Sequence, residues 1–125
     1  MNKIYIPAIL VLILVLVFHI LGMNMHWYMQ FSWYDIVMHI TTGAGIALSA
    51  LWFLETIRKD NLKSNLVLIV ILTLAAGIIW EIFEAYYNIA GFHYGTLKYW
   101  VDSVKDLADD TLGSLIVYIF FKRYF

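Results

Sequence analysis

The stretch from Ile4 to Met23, IYIPAILVLILVLVFHILGM, contains no charged residue. A helix needs about 20 mostly apolar residues to cross a bilayer, at about 1.5 Å of rise per residue. In hydrocarbon, every backbone N–H and C=O must be paired within the chain, so an apolar run of this length reads as a helix. The rest of the chain repeats the pattern, with further spans expected at about 33–57, 65–90 and 101–121 beside the first at about 4–23. Composition agrees: 63% of the 125 residues are hydrophobic, 14% are charged, and the mean hydropathy is +0.80. A soluble domain carries about a quarter charged residues, and one this small could not hide so much apolar surface.

The first run is too long for the apolar core of a signal peptide. Asn24-Met25-His26-Trp27 follows it in place of a small-x-small cleavage site, so it reads as a retained span. Pro7 falls in its first turns, where the missing N–H is tolerated. The connections NMHWYMQFS, RKDNLKS and GFHYGTLKYW are short, which favours antiparallel neighbours. The expectation is therefore an all-α integral membrane protein: one domain over residues 1–125, an antiparallel four-helix bundle.

Lys and Arg placement orients that bundle. Lys3, Arg58, Lys59, Lys63, Lys122 and Arg123 fall on one side, and only Lys98 and Lys105 on the other. Both termini should then face the cytoplasm, in the cell membrane. Trp27, Tyr28, Trp33 and Tyr34, with Tyr86, Tyr87, Tyr94, Tyr99 and Trp100, sit where amphipathic rings anchor at the interface. The absence of cysteine excludes disulfides, thiolate catalysis and cysteine-ligated metals. A net charge of −1 without a basic run argues against nucleic acid.

The acids break the pattern of a passive bundle. Of nine, Glu55 and Asp60 lie at the cytoplasmic end, while Asp35, Glu81, Glu84, Asp102, Asp106, Asp109 and Asp110 fall in the outer half. An ionised carboxylate near mid-bilayer costs about 2.5–3.5 kcal/mol on insertion scales, so these groups must face inward and find protons, cations or water. Helical periodicity lets them. Asp35, His39, Thr42 and Ser49 share one face; Gly77, Glu81, Glu84 and Asn88 share another; Asp102, Asp106, Asp109 and Gly113 a third, with Asp110 on its flank. Gly43, Gly45, Gly77 and Gly113 would let neighbouring backbones approach. Counted inward from the outer ends, Asp35, His39, Glu84 and Asp106 lie roughly 3–9 Å deep, and Glu81 and Asp110 about 13 Å. His19 falls near the same level.

Carboxylates converging on a histidine form the ligand set of a divalent cation: oxygen suits magnesium, calcium or manganese, and imidazole shifts preference toward manganese, iron or zinc. The expected ligands are Asp35, His39, Glu81, Glu84, Asp106 and Asp110, in i, i+3 and i, i+4 pairs on facing helices. Glu-x-x-His and His-Glu-x-x-His are both absent, which disfavours a di-iron oxygenase and excludes a zincin.

Tyr34-Asp35-x-x-x-His39, Trp80-Glu81-x-x-Glu84 and Lys105-Asp106-x-x-x-Asp110-x-x-Gly113 together resemble the YjdF-like family of small bacterial inner-membrane proteins. The resemblance covers about residues 33–117 and implies a shortened form of longer relatives. It implies no activity, and it points to the same six residues.

Three classes of function stay open. In a membrane-embedded metalloenzyme, the cation would activate water and polarise an amphiphilic, lipid-like substrate, with Glu84 and His39 as catalytic residues. In a cation or proton transport component, the acid–histidine chain would be a relay, although the inner halves offer only Ser49, Thr56, Thr73 and Glu55, and an oligomer would have to complete the route. In a structural or partner-binding protein, the acids would be satisfied internally. Asp102 suits a helix N-cap, and Trp80, Tyr86, Tyr87 and Asn88 could brace the ligands.

Overall fold

The computed structural model describes residues 3–57, 62–89 and 93–121, with the side chains of 62–65 outside the description. Among the described residues all regular structure is helical: α1 (Tyr5–Asn24), α2 (Trp27–Gln30), α3 (Ser32–Ile57), α4 (Leu62–Tyr87) and α5 (Leu97–Phe121). The end of the third expected span, at Ala90, and most of the second connection lie outside the described residues.

Three helices, α1, α3 and residues 66–87 of α4, are long and apolar enough to cross a membrane. The expected fourth span, α5, is long enough at 25 residues, yet it is not among them. Its first half holds Lys98, Asp102, Lys105, Asp106, Asp109 and Asp110, and that charge density defeats a reading by composition.

The ends of the helices have local causes. The expected first connection contains α2, entered through His26 in the left-handed region at φ 58°. Asn88, also left-handed at φ 54°, stops α4: Ile89 N–H donates to Glu84 C=O at 3.0 Å, as in a Schellman turn. Asn88 is exposed there and does not belong to the polar stripe expected of it. At the start of α5, Thr96 Oγ1 accepts from Tyr99 N–H at 3.3 Å. Thr96 is thus the capping residue, and Asp102, more than a turn inside the helix, is not.

Helix α3 is the hub. It packs on α1, α4 and, most extensively, α5, while α4 also packs on α5. Glycines set the closest approach. A Cβ on Gly43 would run into the backbone carbonyl of Asp110, and one on Gly113 into that of Ile40. Backbones meet this closely only where small residues allow it, which is how helices associate when lipid is as apolar as leucine. One half of the molecule is closed by an apolar core of Leu48, Leu51, Leu54, Ile69 and Val117, joined by Ile4 and small alanines. The other half holds Asp35, Glu81, Glu84 and the aspartates of α5.

Candidate functional site

His39 sits near the centre of the acid-rich half, buried on α3. Its Nδ1 lies 3.2 Å from Asp110 Oδ1 on α5. Its Nε2 points the other way, 3.5 Å from Asp106 Oδ2 and 3.6 Å from Asp35 Oδ1. Asp35 precedes it by one turn of the same helix, and Asp106 precedes Asp110 by one turn of α5, so two helical repeats bracket a single imidazole. Asp106 and Asp110 are 2% and 3% exposed, which leaves water little access to either.

Lys105 closes the rim. Its ammonium donates to Asp106 Oδ1 at 3.0 Å and Asp35 Oδ2 at 3.3 Å, and stands 3.7 Å from Asp109 Oδ2. Asp109 and Asp110 are about 100° apart around the helix, so they cannot share a face. Asp110 turns in toward His39, while Asp109 turns to Lys105.

On α4, Glu81 is buried and accepts a hydrogen bond from Ser103 Oγ of α5 at 2.6 Å. Two groups of three ligand atoms result, each with its atoms within 4.8 Å of one another: Asp35, His39 and Asp106, and Glu81, Glu84 and Asp106. Asp106 belongs to both. A separation of that size is close to twice a calcium–oxygen bond of about 2.3–2.6 Å. All six residues singled out from the sequence therefore come from three different helices to one place. Asp110 differs from the other five in facing the far nitrogen of the imidazole.

A cleft of about 170 Å³ opens on this cluster, lined by Tyr28, Asp35, His39, Trp80, Glu84 and Asp110 on its polar side. Val15, Ile46 and Ala76 contribute apolar wall. His19 lines it too and shares a hydrogen bond of 2.8 Å between Nδ1 and the Tyr28 hydroxyl. Burial pushes the Tyr28 hydroxyl above its ordinary value, with Tyr34, Asp35 and Glu84 adding to the effect, so it stays a neutral phenol. Gly77 gives the cleft its floor: a Cβ there would stand 2.7 Å from both Asp110 Oδ2 and a Leu107 methyl.

Over residues 2–125 the sequence matches a family described as "Predicted membrane protein (DUF2238)". The chain belongs to that family. The match is the YjdF-like resemblance in another form, and it takes in the first span, which the three motifs leave out. No curated protein and no solved structure matches the chain. Family membership establishes a membrane protein with several apolar helices, and the chemistry of the site rests on its own geometry.

Several participants were not legible as such in the sequence. Lys105 entered as an orienting charge and as part of a motif, with no role at the cluster, although its place directly before Asp106 was a usable cue. Ser103 gave no sign of holding Glu81. Tyr28 and Tyr34 read as interfacial anchors. The Tyr34 hydroxyl instead donates to the Phe18 carbonyl at 2.6 Å, where Gly22 makes room for its ring. Tyr86 and Tyr87 are exposed and brace nothing in the cluster, whereas Trp80 does line the cleft.

Proposed function

We propose that this chain is an antiparallel four-helix membrane bundle that holds divalent cations on its carboxylate–histidine cluster. The observation that carries the reading is the posture of His39. Its Nδ1 is 3.2 Å from Asp110 Oδ1 and its Nε2 faces Asp106 and Asp35, so that with the ring proton on Nδ1 the Nε2 lone pair is directed between those two carboxylates. A carboxylate behind a ligating imidazole fixes its tautomer and raises its basicity, an arrangement that recurs at metal centres. In this reading Asp35, His39 and Asp106 take one cation, and Glu81, Glu84 and Asp106 take a second. Asp106 belongs to both sets and would be shared between them, and Asp110 would be a positioning residue. With Lys105, two dications would balance the five carboxylates Asp35, Glu81, Glu84, Asp106 and Asp110, which relieves the cost of holding those acids in hydrocarbon.

The lysine and arginine distribution supports cytoplasmic termini in an inner membrane, with α5 as the fourth span and the cluster in its outer half. An open cleft beside a cation pair suits metal-assisted hydrolysis of an amphiphile that enters from the bilayer. The cations would activate a water and polarise the substrate oxygen, and Glu84, which lines the cleft, would take the proton. Transport is the weaker reading. The Ser49 and Thr56 hydroxyls are spent on their own helix, and among the described residues the opposite half packs around an apolar core.

Elemental analysis of protein extracted in mild detergent and equilibrated with manganese tests the reading. Wild type should retain two ions per chain, Glu81→Ala and His39→Ala one, and Asp106→Ala neither. Asp110→Asn should weaken retention by about 10–100-fold, as loss of a supporting carboxylate does at metal sites. Retention of no ion by a folded wild type would sink the proposal.

A further inference from the structure

A second opening adjoins the cleft. It is an apolar groove of about 530 Å³ between α1, α3 and α4, lined by Ile9, Ile46, Trp52, Phe53 and Leu72 among others. Ile46 also lines the cleft, so one side chain stands at the junction of the two spaces. Their chemistry differs sharply. The cleft has His39, Asp35 and Glu84, whereas among the described residues the groove carries no charged side chain and its polar atoms are those of Ser49, Tyr5 and the Trp52 indole. The Ser49 hydroxyl is used up on the Gly45 carbonyl at 2.9 Å. The groove therefore asks almost no hydrogen bonds of its occupant. Ile9, Trp52 and Phe53 are also exposed on the outside of apolar spans, which brings the groove next to hydrocarbon.

His39, Ile46 and Phe53 recur at seven-residue intervals, along one side of α3. From His39 to Phe53 the helix rises about 21 Å, longer than the half-thickness of a bilayer's hydrocarbon core, about 15 Å. We infer that cleft and groove together form the seat of a single-chain amphiphile. An anionic phosphate head would lie against the cation cluster, and the alkyl chain would pass Ile46 into the groove. This rests on the cation reading above, because without cations the acids would repel such a head. The chain gains little by leaving one hydrocarbon medium for another. What the groove supplies is register: it lets the head reach the cluster while the tail stays in an apolar bed.

The test uses dodecyl phosphate in phosphatidylcholine nanodiscs with manganese-loaded protein, and reads the paramagnetic relaxation of the probe's phosphorus. Methyl phosphate serves as the chainless control, and manganese content is measured in every sample. For wild type, dodecyl phosphate should be strongly relaxed. Ile46→Trp should lower that effect by about tenfold, as overpacking a filled junction does. Methyl phosphate should lose clearly less than dodecyl phosphate, because Ile46 is only one wall residue of the cleft, and manganese content should hold. Ile46→Ala should keep the effect and extend it to the branched phytanyl phosphate. Equal relaxation of dodecyl phosphate in wild type and Ile46→Trp at equal manganese content would overturn the tail assignment alone. So would a parallel loss for both phosphates, or exclusion of phytanyl phosphate by Ile46→Ala. Wild type that binds no manganese would overturn the cation reading and this inference with it.

Discussion

Helices α1 and α5 are opposites in what they ask of their neighbours. Along α1 the mean hydropathy reaches 2.8, and only Ala8 and Gly22 are buried. Nearly every side chain it owns can face lipid, so it needs its neighbours little. Helix α5 buries Ser103, Asp106, Asp110 and Ser114 and is too charged to count as a span by composition. At about 2.5–3.5 kcal/mol for each ionised carboxylate, Asp106 and Asp110 alone would cost about 5–7 kcal/mol at mid-bilayer. What offsets that cost is contact: His39 and Lys105 for Asp106, His39 for Asp110, and a glycine seam that brings α3 close enough to make the pairing. The more apolar a helix is here, the less it contributes to the site. Hydropathy marks which helix meets lipid, and the violations of hydropathy mark the chemistry.

The hardest way to break this contrast is to separate α3 from α5. Valine at Gly113 would drive a Cβ into the Ile40 carbonyl and to within 2.8 Å of the Ala44 nitrogen, and valine at Gly43 would meet the Asp110 backbone. Backbone cannot yield as a side-chain tip can. Each substitution should cost more than about 3 kcal/mol and leave little folded protein, with α5 the first helix to become protease-sensitive. Gly45→Ala is a milder control, because its new methyl meets only the Leu12 and Val11 side chains of α1. If Gly113→Val unfolds at the wild-type temperature in detergent, the seam does not hold α5.

The same contrast explains what could be read in advance. The apolar runs gave α1, α3 and α4 because hydrophobic length is a local property. The stripe through Asp35 and His39 was legible because a helix turns its residues at a fixed angle. The i, i+4 spacing of Asp106 and Asp110 put both acids on one face for the same reason. Asn88 was misplaced because periodicity runs on past a helix end, whereas the left-handed turn there depends on the chain reversing. The start of α5 lay hidden because Thr96, not Asp102, caps it, a choice made by the turn at Gly95, where φ is 82°. Lys105 could not be assigned to the cluster from spacing alone, since a long flexible side chain can reach either way.

Lys105 also offers a finer probe of the acid-rich half. Its ammonium sits on Asp106 Oδ1 and Asp35 Oδ2, the carboxylates that would hold a cation with His39. A tethered positive charge and a free dication compete for that place. Lys105→Met should tighten manganese binding by about 3–10-fold in isothermal titration. Because the Lys105 side chain is 40% exposed, the loss in stability should stay under about 1 kcal/mol. Weaker binding in the variant would mean that Lys105 supports the cation rather than standing in for it.

The smallest effect is expected on α1. Leu16 is 58% exposed on a helix whose main packing partner is α3. In water, truncating so large an apolar side chain on the surface would change solubility before anything else. In a bilayer its partners are lipid tails, which fill the space left by three missing carbons at little cost. Leu16→Ala should therefore change unfolding free energy by less than about 0.5 kcal/mol and leave manganese content at the wild-type level. The remaining apolar length of α1 still carries it across the membrane. A loss comparable to that at Gly113 would show that α1 is held by a protein surface at Leu16, such as a second copy of the chain, and α1 would no longer stand as the helix that needs only lipid.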